Sequence, residues 1–164
     1  SNRIITEATG DHLSNKTNDD VRHFTVYSQR VLYFPLNIVS IFKNVGDVLI
    51  YKTQLSNINS NDLRQFGGKL KKLQLLGNHF QVLPADLFTY NPNLEFIGLS
   101  DNQITTIEPG TFGGLTKLQL LFLEINPCIN KFYIGPLSSD DNDEIEYNCP
   151  PKSDFTRFFS NLFG

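Results

Sequence analysis

One stretch of this chain is written twice. LKKLQLLGNHFQVLPADLFTYNPN, starting at Leu70, aligns without a gap over 24 residues with LEFIGLSDNQITTIEPGTFGGLTK, starting at Leu94. Leu70, Leu73, Leu75, Asn78, Phe80, Leu83 and Phe88 fall on Leu94, Ile97, Leu99, Asn102, Ile104, Ile107 and Phe112. A third copy, LQLLFLEINPC from Leu118, keeps the frame through Asn126. A fixed period of this kind constrains the fold more than composition does. Each unit is one supersecondary element too small to bury its own apolar face, so the units must stack into a continuous core.

The frame extends upstream with decay. VGDVLIYKTQLSNINSNDLRQFGGK from Val45 carries Val48, Ile50, Leu55, Ile58 and Leu63 at the same offsets with one extra residue, and Thr53 where the Asn belongs. VRHFTVYSQRVLYFPLNIVSIFKN from Val21 carries Phe24, Val26, Val31, Phe34 and Val39, with Gln29 in the Asn place. Units therefore begin at residues 21, 45, 70, 94 and 118.

This pattern resembles the extracellular, 24-residue type of leucine-rich repeat, most of all in short secreted arthropod proteins of that family. The resemblance implies an α/β fold: a curved solenoid of five repeats with a parallel β-sheet on its concave side, an irregular or short-helical convex side, and terminal caps. The residues agree with it independently. Positions one, four and six of each unit are apolar and face the core, while positions three, five and seven alternate outward with the two-residue period of a strand. The Asn at position nine has an amide suited to satisfying buried backbone groups where the chain leaves the strand. A regular asparagine ladder is expected at 78, 102 and 126, an imperfect one at Thr53, and a poor fit at Gln29.

On the convex side, Pro35, Pro84 and Pro109 with Gly67-Gly68 and Gly113-Gly114 favour turns over long helices. Phe88 and Phe112, with Leu63 and Val39 at equivalent places, are expected to stack as an internal spine. A solenoid also needs caps, because its end repeats have open apolar faces and unpaired strand edges. The expected organisation is an N-terminal cap over 1–20, repeats over 21–127, and a C-terminal cap over 128–164. Asn126-Pro127-Cys128 resembles the start of the family's cysteine-containing C-terminal cap, and Cys149-Pro150-Pro151 would close it. The resemblance thus implies a Cys128 to Cys149 disulfide. Family caps often carry four cysteines and this chain has two, so the cap is a reduced one. Within it, SSDDNDEIE from Ser138 lacks the glycine of an EF-hand loop and reads as a solvated acidic loop. The final SDFTRFFSNLFG has apolar residues at helical spacing, and RIITEAT near the start suits an edge strand beside the first repeat.

Composition excludes several classes of function. A formal charge of −3 with interspersed signs offers no basic surface for nucleic acid. No apolar run is long enough to span a membrane, and no signal-peptide h-region follows Ser1-Asn2-Arg3, so the chain reads as a mature form if it is secreted. His12, His23 and His79 form no ligand pattern, and neither a nucleophile motif nor a phosphate-binding glycine loop is present. An enzyme, a metal and a cofactor are therefore not expected. Asn15-Lys16-Thr17 is a single N-glycosylation sequon, with Asn15 as the acceptor.

The concave face remains. Position three runs His23, Asp47, Lys72, Phe96, Leu120; position five runs Thr25, Leu49, Gln74, Gly98, Phe122; position seven runs Tyr27, Tyr51, Leu76, Ser100, Glu124. Residues in a column are neighbours across the sheet, so Phe96, Leu120, Phe122 and Leu76 are expected to cluster around a dip at Gly98. Tyr27, Tyr51 and Leu49 extend the patch, Lys72, Asp47, Gln74 and Glu124 supply polar edges, and Ser100 stands on the same contact face. An exposed apolar patch with a polar rim points to a protein partner. The expectation is a secreted, extracellular recognition or adhesion module, in which immune or developmental contexts fit the resemblance. Self-assembly as a homodimer through the patch or the terminal helix, and capture of a small apolar ligand at the dip, remain open.

Overall fold

The apolar alternation forms the strands in the expected register. The computed structural model describes residues 4–7 and 13–151. In chain order its elements are β1 (His23–Tyr27), α1 (Ile38–Ile41), β2 (Asp47–Tyr51), α2 (Ser60–Arg64), β3 (Lys72–Gln74), β4 (Val82–Leu83), β5 (Phe96–Gly98), β6 (Thr106–Ile107), β7 (Leu120–Phe122), β8 (Phe132–Ile134) and α3 (Ser139–Asn148). One sheet of six strands runs β1-β2-β3-β5-β7-β8, and β4 pairs with β6 in a second. Neighbours are parallel from β1 to β7. His23 pairs with Asp47, Asp47 with Lys72, Lys72 with Phe96, and Phe96 with Leu120. A slip of one residue would exchange the two faces. Instead Val48, Ile50, Leu73, Leu75, Ile97, Leu99, Leu121 and Leu123 are all buried. Phe24 and Val26 of β1 are only half-buried, as end-of-stack positions are.

The asparagine ladder follows from the geometry of strand exit. Asn102 Nδ2 donates to the carbonyls of Leu75 at 2.9 Å and Leu99 at 3.0 Å, and its Oδ1 accepts from Phe80 N–H at 3.3 Å. Asn126 repeats this against Leu99, Leu123 and Ile104, one unit on. Asn78 donates to the Ile50 and Leu76 carbonyls and accepts from the Thr53 hydroxyl at 2.6 Å, so Thr53 joins the ladder as a donor. Gln29 is exposed.

Position eight explains how the chain turns toward the ladder. Ser28, Lys52, Gly77, Asp101 and Ile125 all have positive φ, between 50° and 63°. Four of them donate their N–H to the position-seven carbonyl of the next repeat: Ser28 to Tyr51, Lys52 to Leu76, Gly77 to Ser100, and Asp101 to Glu124. Ile125 has no following repeat, and Asn130 Oδ1 accepts its N–H at 2.8 Å. A side-chain oxygen of the cap thus stands in for a missing backbone.

The convex side is short-helical and turn-rich. Phe88 and Phe112 stack at 5.8 Å, and Leu63 lies in the same core. In the first repeat Ile38, rather than Val39, is the fully buried residue; Val39 is half-buried. Long-range side chains tie neighbouring repeats together: Asn91 Nδ2 donates to the Leu63 and Gly67 carbonyls.

Both caps depart from expectation. Ile4 bridges Leu36, and Ile5 N–H donates to the Leu36 carbonyl at 3.0 Å, so this segment lines the convex side of the first repeat rather than adding a strand beside β1. The acidic loop expected from Ser138 is instead α3. Ser138 caps it in a reciprocal box with Asp141, and Asp140 and Asp141 complement the positive end of the helix. Its single buried apolar residue is Ile145. The Cys128–Cys149 disulfide is formed, with Cα atoms 5.1 Å apart. The Cys149 carbonyl accepts from Ile107 N–H, which fastens the cap to β6. The Phe-rich segment after residue 152 lies outside the described residues.

Candidate interaction face

Outward positions of a parallel ladder stand in columns, and the structure brings the expected columns together. Thr25, Leu49, Gln74, Gly98 and Phe122 are successive register partners. Phe96 and Phe122, on adjacent strands, bring their rings 5.3 Å apart. Phe132, on β8, extends this row with its ring 5.9 Å from that of Phe122. β8 runs antiparallel to β7, which places Phe132 opposite Phe122 and Ile134 opposite Leu120 on the same face. The repeat frame ends before β8, so neither residue carried a sequence signal. Phe132 is 51% exposed and Ile134 76% exposed.

The dip at Gly98 is narrow. Gly98 is buried, and a methyl group added there would lie 3.4 Å from Phe96 Cε1, 3.5 Å from Gln74 Cγ and 3.6 Å from Leu76 Cδ2. The neighbouring side chains have leaned over the missing one at ordinary contact distance. Ser100 is also buried, at 8% exposure, and its hydroxyl lies 3.4 Å from Glu124 Oε2. Neither residue offers a surface to a partner. Leu76, Leu120, Phe122 and Glu124 remain half-buried on the face.

The N-terminal half of the face has another character. Tyr27, 59% exposed, and Tyr51 pack at 5.0 Å, with the Lys52 ammonium 5.2 Å from the Tyr51 ring. Beside them, Asp47 Oδ2 lies 2.9 Å from His23 Nδ1 and 4.0 Å from Lys72 Nζ. One carboxylate between two basic groups along a column is favourable cross-strand pairing. His79 is exposed away from these groups, and His12 lies outside the described residues. Among the described residues no cluster of His, Cys, Asp or Glu has the form of a metal site. Among them, too, no helix is long and apolar enough to cross a membrane.

Residues 68–127 match the family model described as leucine rich repeat. The fold is a leucine-rich repeat solenoid. Over 57 residues the chain is 39% identical to trophoblast glycoprotein of Mus musculus, covering 35% of this chain and 13% of that protein. The same protein of Macaca fascicularis matches at 39% over 57 residues, and the chain covers 14% of it. The chain therefore spans only a small part of the length of these relatives. Among solved structures, a chain of the Toll–Spatzle complex, described as a molecular hub in Drosophila development and innate immunity, superposes with a TM-score of 0.62 at 20% identity. That match covers 66% of this chain and 14% of the other. A chain of the LRIM1/APL1C complex gives 0.55 at 18% identity, covering 64% of this chain and 20% of the other. Leucine-rich repeat domains typically mediate protein–protein recognition and are generally non-enzymatic. The matched segment includes the part of the face from Lys72 to Glu124.

Proposed function

We propose that the chain is a non-catalytic, extracellular recognition module that binds a protein partner through its concave face. The observation that carries this reading is the aromatic row of half-buried Phe96 and Phe122 with exposed Phe132, continuous across three adjacent strands and edged by polar side chains. Lys72, Gln74, Tyr27, Leu49 and Tyr51 extend the contact surface toward the N-terminal half, and a partner that spans both halves meets apolar anchors at one end and mixed charge at the other. The disulfide favours an oxidising compartment, and Asn15 is exposed, as a glycan acceptor must be. Immune or developmental recognition is the context that the likeness to the Toll–Spatzle complex suggests. The test is affinity capture of partners by the intact protein and by Phe96→Asp, from the extracellular fluid of its source. A partner held by the first and lost by the second supports the reading; equal capture by both overturns it.

The small-ligand reading loses support, because the Phe96, Gln74 and Leu76 side chains close in to contact distance of a single methyl group at Gly98. Homodimerisation through the same patch is read from sedimentation at several concentrations. A mass that stays monomeric at high concentration sinks that alternative.

A further inference from the structure

Among the described residues, the last strand of the concave sheet has an open side. Two ladder bonds fix its phase: Leu123 N–H donates to the Lys131 carbonyl at 2.9 Å, and Gly135 N–H to the Gln119 carbonyl at 2.7 Å. In an antiparallel pair, residues alternate between bonding the partner strand and pointing away from it. Residues 131, 133 and 135 therefore turn their backbone toward β7, and Phe132 and Ile134 turn theirs outward. Among the described residues no strand lies beyond β8. An edge of this kind is a template for another strand, and proteins commonly blunt it with charge or cover it. Here the two residues with outward backbone groups carry exposed apolar side chains that continue the concave aromatic row.

Charge decides what fits the edge. Directly behind β8 lies α3, held there by Glu144, which accepts from Lys131 Nζ and, at 3.2 Å, from the Tyr133 hydroxyl. This helix carries Asp140, Asp141, Asp143, Glu144 and Glu146 and no basic residue. A second copy paired edge to edge would bring two acidic helices together. A basic segment would meet attraction instead. The edge is only three residues long, so main-chain pairing must supply much of the binding.

We propose that the outer edge of β8 receives an extended segment of the protein partner as a seventh strand of the concave sheet. That segment has apolar side chains at alternate positions and Lys or Arg at its ends. This rests on the recognition reading and adds the mode of docking.

The probe is the synthetic peptide Lys-Val-Thr-Val-Thr-Val-Lys, added to the full chain while amide hydrogen exchange is followed by NMR. Exchange at Phe132 and Ile134 is expected to slow by about tenfold or more as their N–H groups enter a ladder. The Glu-flanked peptide, and the Lys-flanked peptide N-methylated on one edge, are expected to have no such effect. Several results overturn the proposal: no protection by any peptide; equal protection by the Glu-flanked or N-methylated form; or shifts at Phe96 and Phe122 with the edge amides unprotected. Protection without peptide that rises with protein concentration would assign the edge to a second copy. Peptide-free protection lost in Phe155→Ser/Phe158→Ser/Phe159→Ser would assign it to the chain itself. If the Lys-flanked peptide protects the edge while Phe96→Asp retains the natural partner, the recognition reading fails and the edge site stands.

Discussion

Phe96 and Phe122 are diagonal neighbours: Phe96 pairs with Leu120 and Gly98 with Phe122, yet the two rings meet at 5.3 Å. The Phe96 ring tip lies beside the bare backbone of Gly98, 3.4 Å from where a methyl group there would sit. Replacing Phe96 with Asp forfeits this pair and part of an apolar contact, a loss of about 1 kcal/mol. Its neighbour Ile97 is fully buried. Ile97→Asp strands a charge in the core and is expected to cost more than about 4 kcal/mol. Chemical denaturation of both variants checks the contrast, and similar losses would mean that the two residues do not lie on opposite faces.

Asn102 serves three carbonyls and one amide. Asn102→Leu takes the partner shown here from the Leu75 carbonyl and the Phe80 N–H, while the Leu99 and Ser100 carbonyls keep Asn126 Nδ2 and the Gly77 N–H, at a cost of about 3 kcal/mol. Gln29→Leu, at the equivalent but exposed place, is expected to change stability by less than about 0.5 kcal/mol. Urea midpoints of the two variants measure the difference.

Ile125 occupies the left-handed region at φ 55° although it is β-branched and 67% exposed. Ile125→Asn places there a residue that tolerates that conformation, and is expected to stabilise the protein by about 1 kcal/mol. Ile125→Val keeps the branch and brings no gain. A rise in Tm for the valine variant equal to that for asparagine would contradict the strain.

The disulfide closes a sequence separation of 21 residues. Its loss in Cys128→Ser/Cys149→Ser is expected to cost about 3 kcal/mol through chain entropy. The exchange protection of Ile107, whose N–H bonds the Cys149 carbonyl, should fall with it. Thermal melts and exchange at Ile107 test the two consequences separately.

Burial, and then the Glu144 carboxylate, push the Tyr133 phenol above its ordinary value of 10.0. A raised folded pKa contributes stability that is complete below the unfolded value and is lost as pH rises toward the folded one. The C-terminal cap should therefore weaken above pH 10.0, and Tyr133→Phe should remove that inflection. Phenolate absorbance of the native protein with an ordinary tyrosine midpoint for every tyrosine would contradict the shift.

What the sequence makes legible is whatever recurs. Ile97 and Leu99 are readable as core because Leu73 and Leu75 precede them at the same offsets, and the columns follow from that register. Position eight escapes such reading: Ser28, Lys52, Gly77, Asp101 and Ile125 share a backbone conformation but no side-chain chemistry. The caps escape for another reason. β8 is three residues outside the repeat frame, and its strand exists because the edge of β7 is there to pair with. The signal for α3 was present in Ser138 and Asp141, a capping box, but a helix this polar is held mainly by its neighbours, through Ile145 and the disulfide. Gly98 misleads because a missing side chain suggests space, whereas neighbours in a close-packed sheet close in around it.

The two ends of the solenoid differ in how they are held. At one end Phe24 and Val26 stay half-buried in β1; at the other, a covalent bond, a borrowed Asn130 oxygen and a helix close the stack. In a nearly one-dimensional array, where each unit leans on the next, rupture starts at the weaker terminus and travels. Under tension or limited proteolysis the molecule would unzip from its first strand, and the aromatic row would be the last surface to lose its shape.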